Sequence, residues 1–208
     1  MTEVFLYKLP DISDGEFLKL LGLVSPKRQE KILRLKVKDK QRQSLFAKLV
    51  LRAVLCARLR VENFELSFAT TERGKPYLTS HPDFYFSMSH TDGLVAVALS
   101  DGQVGIDAEK LKPADLRLCE RFFSKSEQDY ITMNENEADQ CFFEVWTQRE
   151  AYAKYTGLGL SLSFGRPIAK ELCKTFSVDE YTVSVCCEGD TIIVPSEETE
   201  SIINRFIG

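Results

Sequence analysis

The longest uninterrupted apolar run of the chain, GLVAVAL at residues 93–99, has only seven residues. A run of this length suits a buried β-strand, whereas a helix that spans a bilayer needs ~20 apolar residues. A chain of 208 residues is long enough to bury an ordinary hydrophobic core. We therefore expect a globular fold of short strands and amphipathic helices, with no membrane span.

The N-terminal sequence MTEVFLYKLPD contains neither a basic leader nor a small-residue cleavage site, so we expect a cytoplasmic protein. Its six cysteines show no CxxC or Cys/His spacing and mostly lie among apolar neighbours. This pattern is typical of buried thiols in a reducing compartment. The sequence thus predicts neither a structural zinc site nor a disulfide framework.

Positive charge is concentrated in one segment. Residues 26–60 contain twelve Lys or Arg and two acidic residues, although the whole chain has a net charge of −4. Such a segment favours an anionic partner, which could be nucleic acid, a membrane surface or a small ligand with several phosphates. The alternative is a helical face in contact with solvent, and the segment alone does not decide between them.

Strand and helix patterns alternate along the chain and predict an α+β fold. The predicted strands cover residues 4–9, 65–71, 84–88, 94–100, 104–109 and 181–186, and the Thr91-Asp92-Gly93 turn joins two of them as a hairpin. Predicted helices begin at Asp14, Ser25-Pro26, Asp39, the capping box Ser124–Glu127 and Asn136, the last ending at Gly157. A short acidic tail follows the last strand.

Three carboxylates could share one site. Asp107 and Glu109 are two residues apart on a predicted strand, so they project from the same face and repel each other unless a proton or a cation intervenes. Glu150 lies on a largely apolar stripe of the later helix and could join them around Mg²⁺, with Lys154 one turn further on facing phosphates. The alternatives are an exposed strand end and an ordinary Glu150–Lys154 surface pair.

Five segments, in this order and spacing, resemble the motif series of the Sfp-like 4'-phosphopantetheinyl transferases. They are GKPYL, FSMSH, VGIDAEK, RFFSKSE and WTQREAYAKYTGLGLSL. The resemblance implies a pseudo-dimer of two similar α/β halves, here residues 1–103 for coenzyme A and residues 104–208 for the metal and the carrier protein. It also implies transfer of the 4'-phosphopantetheine arm of coenzyme A to a serine of an apo acyl or peptidyl carrier protein, with release of adenosine 3',5'-bisphosphate.

The same resemblance implies roles for individual residues. Asp107, Glu109 and Glu150 would hold Mg²⁺, and Lys154 would bind the pyrophosphate and the leaving group. The residues expected to contact coenzyme A are Arg28, Lys31, Lys75, Pro76, Ser89 and His90. Glu127 resembles the residue that deprotonates the serine, although as the third residue of a capping box it also has a structural reason to be present.

Two positions depart from the family pattern. Gln43 stands where the family more often has an arginine for the 3'-phosphate, and Arg149 replaces the usual lysine before Glu150. We expect a monomer without a membrane or nucleic-acid partner, because the chain as a whole is acidic and its basic segment offers only Phe46 for base stacking. A non-catalytic module that binds coenzyme A or carrier proteins is the competing hypothesis; it would tolerate loss of Asp107.

Overall fold

The computed structural model describes residues 1–159 and 167–208, so the end of the fifth motif, residues 160–162, lies outside the described residues. The fold is α+β with two halves, as the sequence predicts. The strands are β1 (Thr2–Lys8), β2 (Phe68–Thr70), β3 (Pro76–Leu78), β4 (Tyr85–Thr91), β5 (Leu94–Ser100), β6 (Val104–Lys110), β7 (Cys173–Val178), β8 (Tyr181–Cys187) and β9 (Thr191–Ile193). The helices are α1 (Asp14–Leu21), α2 (Pro26–Leu33), α3 (Lys38–Leu59), α4 (Arg117–Phe122), α5 (Lys125–Met133), α6 (Ala138–Thr156) and α7 (Ser196–Ile207).

The first half is built around a sheet of four strands in the order β4-β5-β1-β9. The apolar run of the sequence is its central strand β5, which is buried along its whole length and pairs antiparallel with both β4 and β1. Gly93, with φ of 81°, supplies the left-handed backbone of the predicted β4–β5 turn. One face of this sheet packs against α3, whose buried side includes Leu45, Leu49 and Val54.

The second half contains an antiparallel sheet in the order β6-β8-β7, with α6 packed against β6 and β8. Apolar side chains from the two sheets form one shared cluster, in which Ala96 and Ala98 of β5 meet Ile106 of β6 and Val183 of β8. The halves are therefore joined by a continuous core, and β6 runs alongside β4 of the first half. This junction brings the FSMSH and VGIDAEK motifs next to each other.

Gly105 sets the distance between β6 and α6. A Cβ atom at this position would lie 2.0 Å from the carbonyl oxygen of Ala151 and 2.4 Å from the backbone nitrogen of Tyr155, both in α6. Only glycine lets the helix backbone approach the strand this closely. Since β6 carries Asp107 and Glu109 while α6 carries Glu150 and Lys154, this contact also fixes the separation of the candidate site residues.

We predict that Gly105→Ala destabilises the protein, because backbone atoms cannot move aside as a flexible side chain would. The expected loss is about 2 kcal/mol of unfolding free energy, which corresponds to a fall of about 6 °C in the unfolding midpoint for a chain of this size. Differential scanning calorimetry measures it. Gly102→Ala is the matched control, because an added Cβ there meets nothing within 4 Å. Equal midpoints for the two variants would contradict the packing argument.

Several helix starts differ from the sequence prediction. The N-cap of α1 is Ser13 rather than Asp14. The Ser13 hydroxyl accepts a hydrogen bond from the Glu16 amide, and the Glu16 carboxylate accepts one from the Ser13 amide. Helix α3 begins at Lys38, one residue before Asp39. The helix predicted from Asn136 begins at Ala138, after a short 3-10 turn over Glu135–Glu137. The capping box of α5 and the left-handed end of α6 at Gly157 are confirmed.

The prediction of an acidic tail after the last strand is wrong. Residues 191–207 form β9, which pairs parallel with β1, and α7, which buries Ile202 and Ile203 in the core of the first half. The acidic residues of α7 that suggested a tail lie on its outer side, while its apolar residues recur at helical spacing.

The prediction that the chain has no disulfide is also wrong. Cys173 and Cys186 are directly opposite each other on β7 and β8, with Cα atoms 4.2 Å apart, and they form a disulfide. Sequence spacing could not indicate this pair, because the pairing depends on the register of two strands. The remaining four cysteines are free thiols, as expected: Cys56, Cys119, Cys141 and Cys187.

Candidate active site

Strands β4 and β6 meet through polar side chains spaced two residues apart on β4. Ser87 accepts a hydrogen bond from the Ile106 amide at 3.1 Å, Ser89 donates to Asp107 Oδ1 at 2.7 Å, and Thr91 donates to Glu109 Oε2 at 3.2 Å. The two-residue period of a strand places these three hydroxyl groups on one side. The FSMSH motif thus supports Asp107, and Thr91, the residue after the motif, supports Glu109.

Asp107 is the centre of the site. The residue is 3% exposed, and its Oδ1 accepts from both Ser89 and the Lys154 ammonium, whose Nζ lies 2.7 Å away. The other oxygen, Oδ2, is buried and has no hydrogen-bond partner in the described part of the chain. A buried carboxylate oxygen without a partner is costly, so Asp107 Oδ2 is suited to an additional ligand.

Helix α6 brings Glu150 and Lys154 to the same place. Lys154 Nζ also donates to the Ile106 carbonyl at 3.0 Å, which holds the ammonium against β6. Burial, and then the charge of Asp107, raises the pKa of Glu150 to about 7. Burial and Asp107 likewise raise the pKa of Glu109. These effects indicate that the three carboxylates, which we call the carboxylate cluster, repel one another.

The carboxylate cluster is not a preformed metal site. Over residues 1–159 and 167–208, no three His, Cys, Asp or Glu side chains are grouped so that they could hold a metal ion. Lys154 lies beside Asp107 and offsets part of the negative charge. The cluster therefore combines partly buried oxygen donors with one cation.

One cavity adjoins the carboxylate cluster through Glu150, and a second cavity shares lining residues with the first. The first, of about 270 Å³, is lined by Lys75, Pro76, Glu150 and Lys154 among others, and we call it the inner cavity. The second, of about 580 Å³, is lined by Arg28, Lys31 and Arg52 and by no Asp or Glu, and we call it the basic cavity. The two share three lining residues, Lys48, Pro76 and Phe86. The structure thus brings together most of the site residues predicted from the sequence.

Lys75 has a structural role beside the inner cavity. Its ammonium donates to Gln103 Oε1 at 2.9 Å and to the Tyr155 carbonyl at 3.1 Å, which links the β2–β3 hairpin to the end of α6. Burial lowers the pKa of Lys75 to about 8. Gly74, with φ of 85°, forms the turn that precedes Lys75.

His90 and Glu127 lie apart from the lining of both cavities. Partial burial, and then the positive charges of Lys154 and Lys48, lower the pKa of His90, so it lies in a positive field. Glu127 is 4% exposed and completes the capping box of α5, where its Oε2 accepts from the Ser124 amide at 2.7 Å. The same oxygen pairs with the buried Arg149 guanidinium at 2.5 Å.

Gln43 is held by its neighbours in the first half. It is buried, its Oε1 accepts from Lys40 at 3.0 Å, and its amide donates to Asp92 Oδ1 at 3.2 Å.

Sequence reasoning did not single out Lys48 or Gly105. A lysine between Leu45 and Leu49 on an amphipathic helix, and a glycine inside a buried strand, are the patterns that could have drawn attention to them.

Comparison with known proteins identifies the family. Residues 103–194 match the family profile described as the 4'-phosphopantetheinyl transferase superfamily, and residues 11–101 match that of the 4'-phosphopantetheinyl transferase N-terminal region. The chain is therefore an enzyme of the 4'-phosphopantetheinyl transferase family, as its motifs predict.

Curated relatives carry the same description. The chain is 30% identical over 200 residues to 4'-phosphopantetheinyl transferase Sfp of Bacillus subtilis, which covers 87% of this chain and 89% of the relative. It is 34% identical over 163 residues to 4'-phosphopantetheinyl transferase gsp of Aneurinibacillus migulanus, and this match covers 77% of this chain and 68% of the relative. It is 30% identical over 167 residues to HetI of a Nostoc species, covering 76% and 70%. None of the helices in the described residues is both long and apolar enough to cross a membrane.

Proposed function

We propose that this protein transfers the 4'-phosphopantetheine arm of coenzyme A to a serine hydroxyl of an apo acyl or peptidyl carrier protein. The names of its relatives support the transferred group. The observation that carries the proposal is the ion pair of Lys154 with Asp107 beside the inner cavity, which is lined by Glu150, Lys154 and three further cations. Phosphoryl transfer depends mainly on positioning and on charge neutralisation, which such an arrangement can provide.

The carboxylate cluster has the chemistry of a Mg²⁺ site. Mg²⁺ prefers oxygen ligands, and two observations support its binding there: Asp107 Oδ2 has no partner in the described residues, and the pKa values of Glu150 and Glu109 are raised. Asp107, Glu109 and Glu150 would hold the ion once their side chains are drawn together around it, since the described residues contain no group of three such ligands. When bound, Mg²⁺ would draw charge from the diphosphate and stabilise the leaving group.

The reaction forms one bond and breaks one. The serine oxygen bonds to the phosphorus that carries the pantetheine arm, and the bond from that phosphorus to the bridging oxygen breaks, which releases adenosine 3',5'-bisphosphate. Lys154 is within reach of the inner cavity, where it would neutralise charge on the departing oxygen. The serine proton must pass to a base. Glu127 stays a prediction for that role, since its contacts with Ser124 and Arg149 favour positioning of α5 against α6.

The remaining predicted residues fit the nucleotide part of coenzyme A. Arg28 and Lys31 line the basic cavity, and Pro76 lies between the two cavities, where it could border the adenine. Ser89 and His90 are the remaining residues expected to contact coenzyme A. The Ser89 hydroxyl is held in place by its hydrogen bond to Asp107. We further propose a monomer whose two functional parts are residues 1–103 and 104–208, although β9 and α7 return to the sheet and core of the first part.

Intact-mass spectrometry tests the proposal. An apo acyl carrier protein and an apo peptidyl carrier protein are each incubated with the enzyme, coenzyme A and Mg²⁺, and a parallel sample contains excess EDTA. We expect at least one carrier to gain the mass of one phosphopantetheine arm, and EDTA to abolish the gain. Binding of coenzyme A without any gain would contradict transfer and favour the non-catalytic binding module.

A further inference from the structure

Thr182 of β8 has a buried hydroxyl group without a hydrogen-bond partner in the described residues. The residue is fully buried, and the buried side-chain oxygens of the described chain that lack a partner are Thr182 Oγ1 and Asp107 Oδ2. A buried hydroxyl group that forms no hydrogen bond costs free energy. A second unpartnered oxygen therefore lies on the sheet that carries Asp107, at a residue outside all five sequence motifs.

Strand register places Thr182 beside Glu109. Strand β8 pairs antiparallel with β6, so that Thr182 is directly opposite Glu109 and Ser184 is directly opposite Asp107. Directly opposite residues project from the same face of a sheet, with their Cβ atoms about 5 Å apart. Val183, between the two hydroxyl residues, projects from the other face into the core that the two halves share. Thr182 and Glu109 therefore lie side by side on the face that carries the carboxylates.

The neighbouring hydroxyl group on this face of β8 is fully bonded. Ser184 Oγ lies 2.8 Å from Thr147 Oγ1 of α6 and 2.8 Å from Thr175 Oγ1 of β7. Helix α6 packs against both β6 and β8, so this face is covered and its polar groups need partners from the protein. Thr182 is the exception, and the acceptor directly opposite it is the Glu109 carboxylate.

Glu109 is held at present from the opposite side of β6. Thr91 of β4 donates to Glu109 Oε2 at 3.2 Å, which is long for a hydrogen bond between two oxygens. A carboxylate has about four acceptor positions, so it can bind a cation and accept hydrogen bonds together. Carboxylates that bind metals are usually oriented by hydrogen bonds from neighbouring groups. A donor on β8 could therefore orient Glu109 when the carboxylate cluster closes around an ion.

Resting on the metal site of the proposed function, we infer that Thr182 is a positioning residue for Glu109. When the carboxylate cluster gathers around Mg²⁺, the Thr182 hydroxyl donates a hydrogen bond to the Glu109 carboxylate and holds it in the ligating orientation. In the metal-free protein this hydroxyl group forms no bond with the described residues, so its burial is offset only when the ion binds. The hydroxyl group of Thr182 thus serves metal affinity rather than the stability of the fold.

Two substitutions test the inference without requiring transfer. Thr182→Val replaces the hydroxyl by a methyl group of similar shape, whereas Thr182→Ser keeps the hydroxyl and removes a methyl group. Mn²⁺, which like Mg²⁺ binds carboxylate oxygens, is titrated into the metal-free protein, and electron paramagnetic resonance measures the free ion. We expect about tenfold weaker Mn²⁺ binding for Thr182→Val, as for loss of a group that orients a metal ligand, and nearly normal binding for Thr182→Ser.

The unfolding midpoints of the metal-free variants should follow the opposite order. Thr182→Val should have an unchanged or higher midpoint, because it removes an unpartnered buried polar group, and Thr182→Ser a lower one, because it leaves a small cavity. A merely structural role would lower midpoint and metal affinity together. Thr199→Val is the matched control: Thr199 is equally buried, but its hydroxyl donates to the Pro195 carbonyl at 3.2 Å in α7, so Mn²⁺ affinity should not change.

The outcomes separate this inference from the proposed function. Equal Mn²⁺ affinity for Thr182→Val and the unaltered protein would overturn the role of Thr182 and leave the proposed function standing. Equal loss of affinity in Thr182→Val and Thr182→Ser would also overturn it, because the hydroxyl group would not be the cause. If the unaltered protein binds no Mn²⁺, the metal site of the proposed function fails and the inference with it. Mn²⁺ binding that depends on the Thr182 hydroxyl, in a protein that modifies no carrier, would support the inference and contradict transfer.

Discussion

Asp107→Asn should reduce carrier-protein modification about 10³-fold, through loss of several kcal/mol of charge stabilisation in the transition state. Asp107 contacts Ser89 and Lys154, and its charge is a cause of the raised pKa values of Glu109 and Glu150. Replacing it therefore changes every charged member of the carboxylate cluster. The measurement is the initial rate of mass gain by the carrier protein at saturating coenzyme A and Mg²⁺.

The fold should survive this substitution, because an asparagine side chain can still accept from Ser89 and because one of three mutually repelling charges is removed. Asp101→Asn is the matched control: the Asp101 side chain is 80% exposed and pairs with the N-terminal amine, so the rate should not change. A rate for Asp107→Asn within tenfold of the unaltered enzyme, at normal stability, would contradict the central role of Asp107.

Glu127→Gln should lower the unfolding free energy by about 4 kcal/mol, because it removes the carboxylate charge that pairs with the buried Arg149 guanidinium. Arg149 is 1% exposed, and Glu127 Oε2 accepts from it at 2.5 Å and from Ser124 at 2.7 Å. For a chain of this length the loss corresponds to about 10 °C in the unfolding midpoint. Chemical denaturation measures the free energy.

A double-mutant cycle with Arg149→Met isolates the ion pair. When both charges are removed, the loss should be smaller than the sum of the two single losses, because each single variant already loses the same Glu127–Arg149 interaction. If the losses simply add, the ion pair does not couple α5 to α6, and the argument fails.

The stability contribution of Glu127 also has a defined pH dependence. Although burial acts in the opposite direction, bonds from Arg149 and Ser124 hold the pKa of Glu127 below its ordinary value of 4.5. The contribution is therefore fully present above about pH 4.5 and is lost as the pH falls through the lower folded-state pKa. The difference between the unaltered protein and Glu127→Gln should shrink in acid. Glu127 is also predicted to be the base. The transfer rate of Glu127→Gln as a function of pH, measured at a temperature well below its unfolding midpoint, tests this prediction.

Local signals were enough to predict much of the fold. Strand β5 was predicted with its observed bounds because a short apolar run between turn residues has few alternatives, and the turn at Gly93 follows from the need for positive φ. The capping box that starts α5 and the glycine that ends α6 were equally local. The family follows from five motifs rather than from any single residue.

What the sequence could not provide depends on contacts between distant segments. The disulfide of Cys173 with Cys186 requires strand register, and the return of β9 to β1 requires the complete sheet. At the site, the sequence suggested that three carboxylates could meet. The bond from Lys154 to Asp107, and the position of Lys48 between two cavities, appear only when α3, α6 and β6 are packed together.

The return of the chain end to the first half has a consequence for how the protein is made. Strand β9 completes one edge of the first sheet, and α7 covers part of the core beneath α3 and β1. During synthesis, residues 1–103 cannot reach their final packing as soon as they have emerged from the ribosome. They must wait for residues 191–207, so the two halves mature together rather than one after the other.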